Sequence, residues 1–187
     1  MTIWYSGPFV ERLTKSIVEL CASRGIIKDR LFDVEDLEER WKKSAPQYMA
    51  DSVPEIARYP MVAIAWAAYY GIGAAVLWDA AWEKVKDIDD LYLYIRDVRG
   101  YDCMDEYVMD SLLDVKEGQK RRALIDGTLQ ECAQLALSLI RKEGIEPASV
   151  EAFQMYAKTT EIFFRLGATI ALTTLGYKLE KVNLNLN

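Results

Sequence analysis

The sequence predicts an all-α protein: one domain at residues 1–187, built as a bundle of about six to eight helices around a buried central helix at residues 60–84. Three observations predict it. Apolar residues recur at helical spacing along most of the chain, and no alternating run is long enough to build a sheet. The stretch from Tyr59 to Trp78 carries no charged side chain, and every fourth residue in it is small: Ala63, Ala67, Gly71 and Ala75. A length of 187 residues, 51% of them apolar, suits one domain with a substantial core. No repeat, low-complexity tract or long linker marks a second domain.

An uncharged stretch of about 20 residues is long enough to cross a bilayer, so composition decides its reading. Its strongly apolar aliphatic members are Met61, Val62, Ile64, Ile72, Val76 and Leu77, whereas Ala, Gly and Tyr fill most of the rest and gain little from lipid. Trp78 and Trp82 stand where an interfacial belt would, yet no dense basic cluster flanks the run. A helix apolar on all sides and enclosed by other helices is therefore expected, with no membrane span. Pro60 suits its first turn, where a missing N–H costs nothing. The small row forms a shallow groove for a ridge of a neighbouring helix, and it winds around the cylinder by about 40° per four-residue step. Gly167 and Ala171 repeat the spacing near the end of the chain, which makes the last helix its expected partner. The row then continues into Asp79, Glu83 and Asp87, turning acidic as the helix emerges toward solvent.

The other elements follow in order. Ser6 and Pro8 open a helix with Val10, Leu13, Ile17 and Leu20 on its apolar side, and Gly25 closes it. Asp33 caps a short helix bearing Val34, Leu37 and Trp41, and Pro46 and Pro54 break the next stretch into turns or short helices. Asp87, Asp89 and Asp90 supply caps for a helix with Leu91, Ile95 and Val98, ended by Gly100. The segment from Asp102 to Val115 reads as a helix with the row Met104, Val108, Leu112 and Val115. Ile125, Leu129, Cys132, Ala136 and Leu139 mark another, stopped by Gly144. Asp126-Gly127 falls inside it, as a tolerated glycine where another helix comes close. Pro147 or Ser149 starts the last helix, which runs through Phe153, Phe164 and Ile170 to about Lys181. Residues 183–187 read as a frayed tail, with a short strand paired to Thr2–Tyr5 as the alternative.

Composition removes several chemistries. There is no histidine, hence no Ser-His-Asp or Cys-His hydrolase, no His-bearing zinc site and no Glu-x-x-His di-iron centre. Cys21, Cys103 and Cys132 are odd in number and form no C-x-x-C pair, so they read as reduced core thiols. A net charge of −6 argues against a sequence-independent nucleic-acid binder, although Lys116, Lys120, Arg121 and Arg122 cluster among acids. Met1–Val10 has no basic segment followed by an apolar core, so no secretory signal is expected and the cytoplasm is the expected compartment. The acids at 87–90 and 35–39 lack the spacing of Asp-rich prenyl-transfer motifs and of all-α nucleotide pyrophosphatases, and no family resemblance is drawn.

Three constellations bear chemistry. Asp102, Glu106, Asp110 and Asp114 form a ladder at four-residue spacing, where like charges repel by a few tenths of a kcal/mol per pair. It reads first as a solvated face paired with the following basic residues. Its alternative is an oxygen-ligated Mg²⁺ or Ca²⁺ site at Asp102, Glu106 and Asp110, completed by Asp79 and Glu83. Arg165 stands four residues after Glu161 in an apolar sequence, which suits a local ion pair, a ligand-holding fork, or a buried pair with Asp79. Trp66, Tyr69, Tyr70, Trp78 and Trp82 serve either the core or a stacking pocket, and at least one of Tyr69 and Tyr70 needs a polar neighbour.

No catalytic motif emerges, and no cofactor is expected beyond Mg or Ca under the metal reading. The leading expectation is a non-catalytic helical protein that acts by binding a protein partner or a second copy of itself. The alternative is a small-molecule-binding protein or carboxylate/Mg-dependent enzyme, with a ligand site near Asp79 and Glu83 drawing on Arg165, Trp66, Tyr70 and Trp82.

Overall fold

Helical spacing becomes seven α-helices over residues 7–177, the part of the chain that the computed structural model describes, with no strand among those residues. They are α1 (Pro8–Ser23), α2 (Glu35–Ser52), α3 (Pro60–Val85), α4 (Leu91–Arg96), α5 (Met104–Glu106), α6 (Lys120–Lys142) and α7 (Val150–Thr174). A 3-10 turn, Val53–Glu55, extends α2, and α5 lies between a 3-10 turn, Tyr101–Cys103, and a π-helical segment, Tyr107–Leu112. The readings of Ser6, Thr2–Tyr5 and residues 183–187 lie outside the described residues.

The row of small residues does what its spacing predicts: it lets the backbones of α3 and α7 touch. A Cβ on Gly71 would stand 2.0 Å from the carbonyl oxygen of Phe164, and one on Gly167 would stand 1.8 Å from that of Ala68. Only hydrogen fits at either position. Ala63, Ala67, Ala75 and Ala171 are fully buried around this crossing. Farther along α3, Gly73 admits Val108 and Leu112 of the π-helical segment and Ile95 of α4. By length and composition α3 is apolar enough to cross a membrane, but 72% of its most apolar window is buried within the protein.

Several boundaries differ from the sequence reading. In α1 the buried stripe is Phe9, Leu13, Ile17 and Cys21, while Val10 and Leu20 stay half-buried. Pro46 does not break α2, because burial of Trp41, Ser44, Tyr48 and Met49 on both sides of it outweighs one lost backbone hydrogen bond. Asp33 does not cap α2 either; Val34 holds that position and Asp33 pairs with Arg165. Asp90 does cap α4, accepting from Leu93 N at 3.1 Å, but α4 ends at Arg96 and leaves Val98 exposed.

The acid row running out of α3 is interrupted. Ala81 leaves helical geometry (φ −144°, ψ 30°), so Asp79 and Glu83 lie on opposite sides of a kink, and Asp87 lies beyond the helix. The ladder from Asp102 to Asp114 is not one α-helix, since the π-helical segment inserts an extra residue per turn and Asp114 adopts a left-handed φ of 60°. Gly127 lies inside α6 as expected, yet among the described residues no atom outside its own helix comes within 4 Å of a Cβ built there, so none of the described helices packs closely on it. The last helix opens on Ser149, whose Oγ accepts from Ala152 N at 3.1 Å. It stops at Thr174, not Lys181. Gly176 takes φ 92°, and Tyr177 N donates to Leu172 O at 2.9 Å, closing the C-terminus in a Schellman motif.

Candidate functional site

The polar candidates are dispersed. Asp79 is exposed and accepts from the Tyr177 hydroxyl, whose ring packs on Trp78 with centroids 5.8 Å apart. Glu83 is exposed and pairs with Lys86 at 2.6 Å. Trp82 lies under the guanidinium of Arg40, 5.5 Å from its carbon. That buried arginine donates to the carbonyls of Ile88 (2.8 Å) and Lys86, so its charge offsets the negative end of α3. Asp102 and Glu106 face solvent, while Asp110 accepts from Arg122 at 2.7 Å. Among the described residues no three Cys, Asp or Glu side chains gather closely enough to hold a metal ion, so Asp79 and Glu83 do not join the ladder in one cluster.

Arg165 pairs with neither Glu161 nor Asp79. Its guanidinium reaches Asp33, and Glu161 pairs instead with Lys158 at 3.0 Å. Tertiary packing brings the loop before α2 over α7, which sequence spacing along α7 had no means to register.

The aromatic residues divide between core and hydrogen bonding. Tyr70 is fully buried, within 5.0–6.2 Å of the rings of Phe164, Tyr92 and Trp41, and its hydroxyl donates to Ser44 Oγ at 2.8 Å. Burial pushes its phenol well above the ordinary value. Trp66 packs edge-on to Tyr69 and donates Nε1–H to Tyr101 O at 2.7 Å. Tyr69 donates to Asp126 Oδ1 at 2.7 Å, so both tyrosines have the polar neighbour that burial requires. Asp126 also accepts from Arg122 Nε at 2.7 Å, which completes a chain Tyr69–Asp126–Arg122–Asp110 tying α3 and α6 to the π-helical segment. Asp110 and Asp114 thus pair with Arg122 and Lys116, two of the basic residues that follow the ladder, but Arg122 is buried where a solvated pair was expected: it is 7% exposed, satisfied by two carboxylates and the carbonyl of Val115.

The feature with the form of a binding site lies elsewhere. Between the end of α2, the end of α6 and the start of α7 runs an apolar cleft of about 610 Å³. Val53, Ile56, Ala57 and Pro60 form one wall, Pro147, Ala148, Ser149, Ala152 and Phe153 the other, and Leu137 and Ile140 close the side. Ile64 and Tyr156 line it from the core side, with the Tyr156 hydroxyl donating to Ala63 O at 2.8 Å. Phe153 is 49% exposed and neighbouring Val150 is 68% exposed, an unusual cost in water for a helix that buries its other apolar residues. Ala148 adds strain at the rim, with a φ of 62° that a residue bearing a Cβ rarely adopts. A second depression of about 740 Å³, beside α1 and Arg165, mixes apolar Val10, Val18 and Leu31 with charged Glu11, Lys15 and Asp29 and opens broadly to solvent.

Exposed charge differs between the two walls. Arg58 stands next to Ala57 on the first, and Glu146 and Glu151 flank the second. None of the three makes an ion pair among the described residues. The sequence reading missed this cleft because it is assembled from three segments far apart in the chain. The available signal was apolar Val150 and Phe153 in the first turn of a helix otherwise marked by Glu151 and Ser149. No protein-family model matches the chain, and no curated protein or solved structure matches it.

Proposed function

We infer that this chain is a non-catalytic helical protein of the cytoplasm that acts by self-association, with the apolar cleft as the interface and a second copy of the chain as its occupant. The observation that carries the reading is that one patch holds both halves of a contact. A hollow lies between the walls, and Phe153, one of its lining residues, stays half exposed, with exposed Val150 one helical turn before it. A two-fold dimer uses the same patch on both copies, so it requires such self-complementarity.

Charge supports the same occupant. A two-fold axis running along the cleft would set the first wall of one copy against the second wall of the other, and so bring exposed Arg58, next to Ala57, toward exposed Glu151, next to Ala152, on both sides of the axis. The lining offers few polar groups to orient a small ligand, whereas the seat for an aromatic anchor and a charged rim is the anatomy of a protein interface.

Sedimentation equilibrium over a range of concentrations tests this. The wild-type chain is expected to move from 21.4 kDa toward twice that mass, and Phe153→Glu to remain at 21.4 kDa with an unchanged circular dichroism spectrum. A wild-type chain that stays monomeric at every concentration overturns the reading, and binding of a small apolar molecule by that monomer would replace it.

A further inference from the structure

We propose that Cys21 and Cys132 form a site of reversible two-electron oxidation, at which a peroxide links α1 covalently to α6. The two sulfurs lie 3.6 Å apart, both fully buried, on residues separated by 111 positions in the chain. A disulfide needs about 2.0 Å, so the sulfurs have to close by a further ~1.6 Å, shared between two side chains already in contact. This proximity has no role in the cleft or in the Arg122 network.

The surrounding pairs fix the register that sets the sulfurs opposite each other. Arg24 grips Glu131 through two hydrogen bonds of 2.9 and 2.6 Å, next to the cysteines, and Arg12 reaches Glu143 at the far end of the same antiparallel contact. Cys103 sits apart, half-buried in the 3-10 turn Tyr101–Cys103. Of the three thiols, only two share a partner.

The chemistry balances with hydrogen peroxide as oxidant. One thiolate attacks a peroxide oxygen, the O–O bond breaks, and a sulfenic acid and hydroxide result. The second thiol attacks that sulfur, the S–O bond breaks, and the disulfide forms with release of water. Two thiols lose two electrons and two protons, and the peroxide becomes two waters. Contact with Cys21, then burial, hold the Cys132 thiol above its ordinary value, so thiolate forms when α1 lifts from α6 and the reaction is slow. Once formed, the link bridges a long loop and restricts the unfolded chain more than the folded one.

The test treats the fully reduced, full-length chain with hydrogen peroxide under native conditions, followed by alkylation, intact mass and peptide mapping. Expected are a loss of about 2 Da, one peptide joining Cys21 to Cys132, and a rise in melting temperature of about 5–10 °C, all reversed by dithiothreitol. Cys103→Ser is expected to retain all three, and Cys132→Ala to lose them. The wild-type peptide map stands by itself if Cys132→Ala fails to fold. Oxygen addition at Cys103 with Cys21 and Cys132 unlinked overturns the proposal, as does a link that leaves the melting temperature unchanged.

Discussion

Replacing Gly167 with alanine tests the packing of α3 on α7 where it is tightest. The new methyl carbon would stand 1.8 Å from the carbonyl oxygen of Ala68 and 2.6 Å from its carbon, whereas ordinary contact begins at 3.4 Å. The helices therefore have to separate by about 1.6 Å, the difference between those oxygen distances. Both obstructing atoms are backbone, so no rotamer change relieves the clash. Overpacking of this kind costs about 1–3 kcal/mol where side chains can yield, and the rigid obstruction here sets it at or above the upper end. Alanine's better helix propensity offsets about 1 kcal/mol, which leaves a net destabilisation of about 2–3 kcal/mol. Gly127→Ala is the control: the residue change is the same and also within a helix, but among the described residues nothing beyond the local helix backbone lies within 4 Å of the added carbon. It is expected to stabilise by about 0.5–1 kcal/mol. Urea denaturation at fixed protein concentration reads both as midpoint shifts at constant slope. Midpoints that move in the same direction, or a Gly167→Ala chain as stable as wild type, would refute the packing argument.

Two further predictions rest on buried polar groups. Burial raises the phenols of Tyr48, Tyr69, Tyr70, Tyr92, Tyr101 and Tyr156 above the ordinary value of 10.0, so their contribution is complete below pH 10 and is lost as pH rises beyond it, because the unfolded chain ionises first. Each removes about 1.4 kcal/mol per pH unit above that point, so phenolate absorbance and helical circular dichroism are expected to change together in one steep alkaline transition; gradual phenolate formation with the helix intact would contradict this. Arg122→Ala leaves Asp110 and Asp126 facing each other without their cation and is expected to cost about 3 kcal/mol in urea denaturation, and a change below 0.5 kcal/mol, about the level of a surface substitution, would show that the network carries no stability.

What the sequence revealed, and what it did not, divides along a physical line. The central helix and its partner were legible because backbone contact demands small residues on both helices, and the four-residue spacing of Ala67 and Gly71 on one and Gly167 and Ala171 on the other records that demand locally. Helix ends were legible where a special conformation needs a special residue, as at Gly25 and Gly144, both at positive φ. Pro46 misled because a local rule was overridden by burial of the side chains around it. The π-helical segment misled differently: a fixed 3.6-residue period aligned Asp102, Glu106 and Asp110, and the inserted residue turned Asp110 to Arg122. Arg165 and the apolar cleft depend on segments distant in the chain, so spacing within any one element held no record of them.

A mixed pair of charge variants tests the proposed two-fold contact across the cleft most directly. Arg58→Glu alone sets like charges together on both sides of the axis, as does Glu151→Arg alone, so each variant is expected to be largely monomeric. Mixing the two restores opposite charges at both contacts, since one copy then carries two acids and the other two bases. Sedimentation of the equimolar mixture, with one variant labelled, is expected to give a heterodimer of about twice 21.4 kDa at concentrations where neither variant alone associates. A mixture that sediments as two monomers, while the wild-type chain dimerises under the same conditions, would contradict the proposed interface.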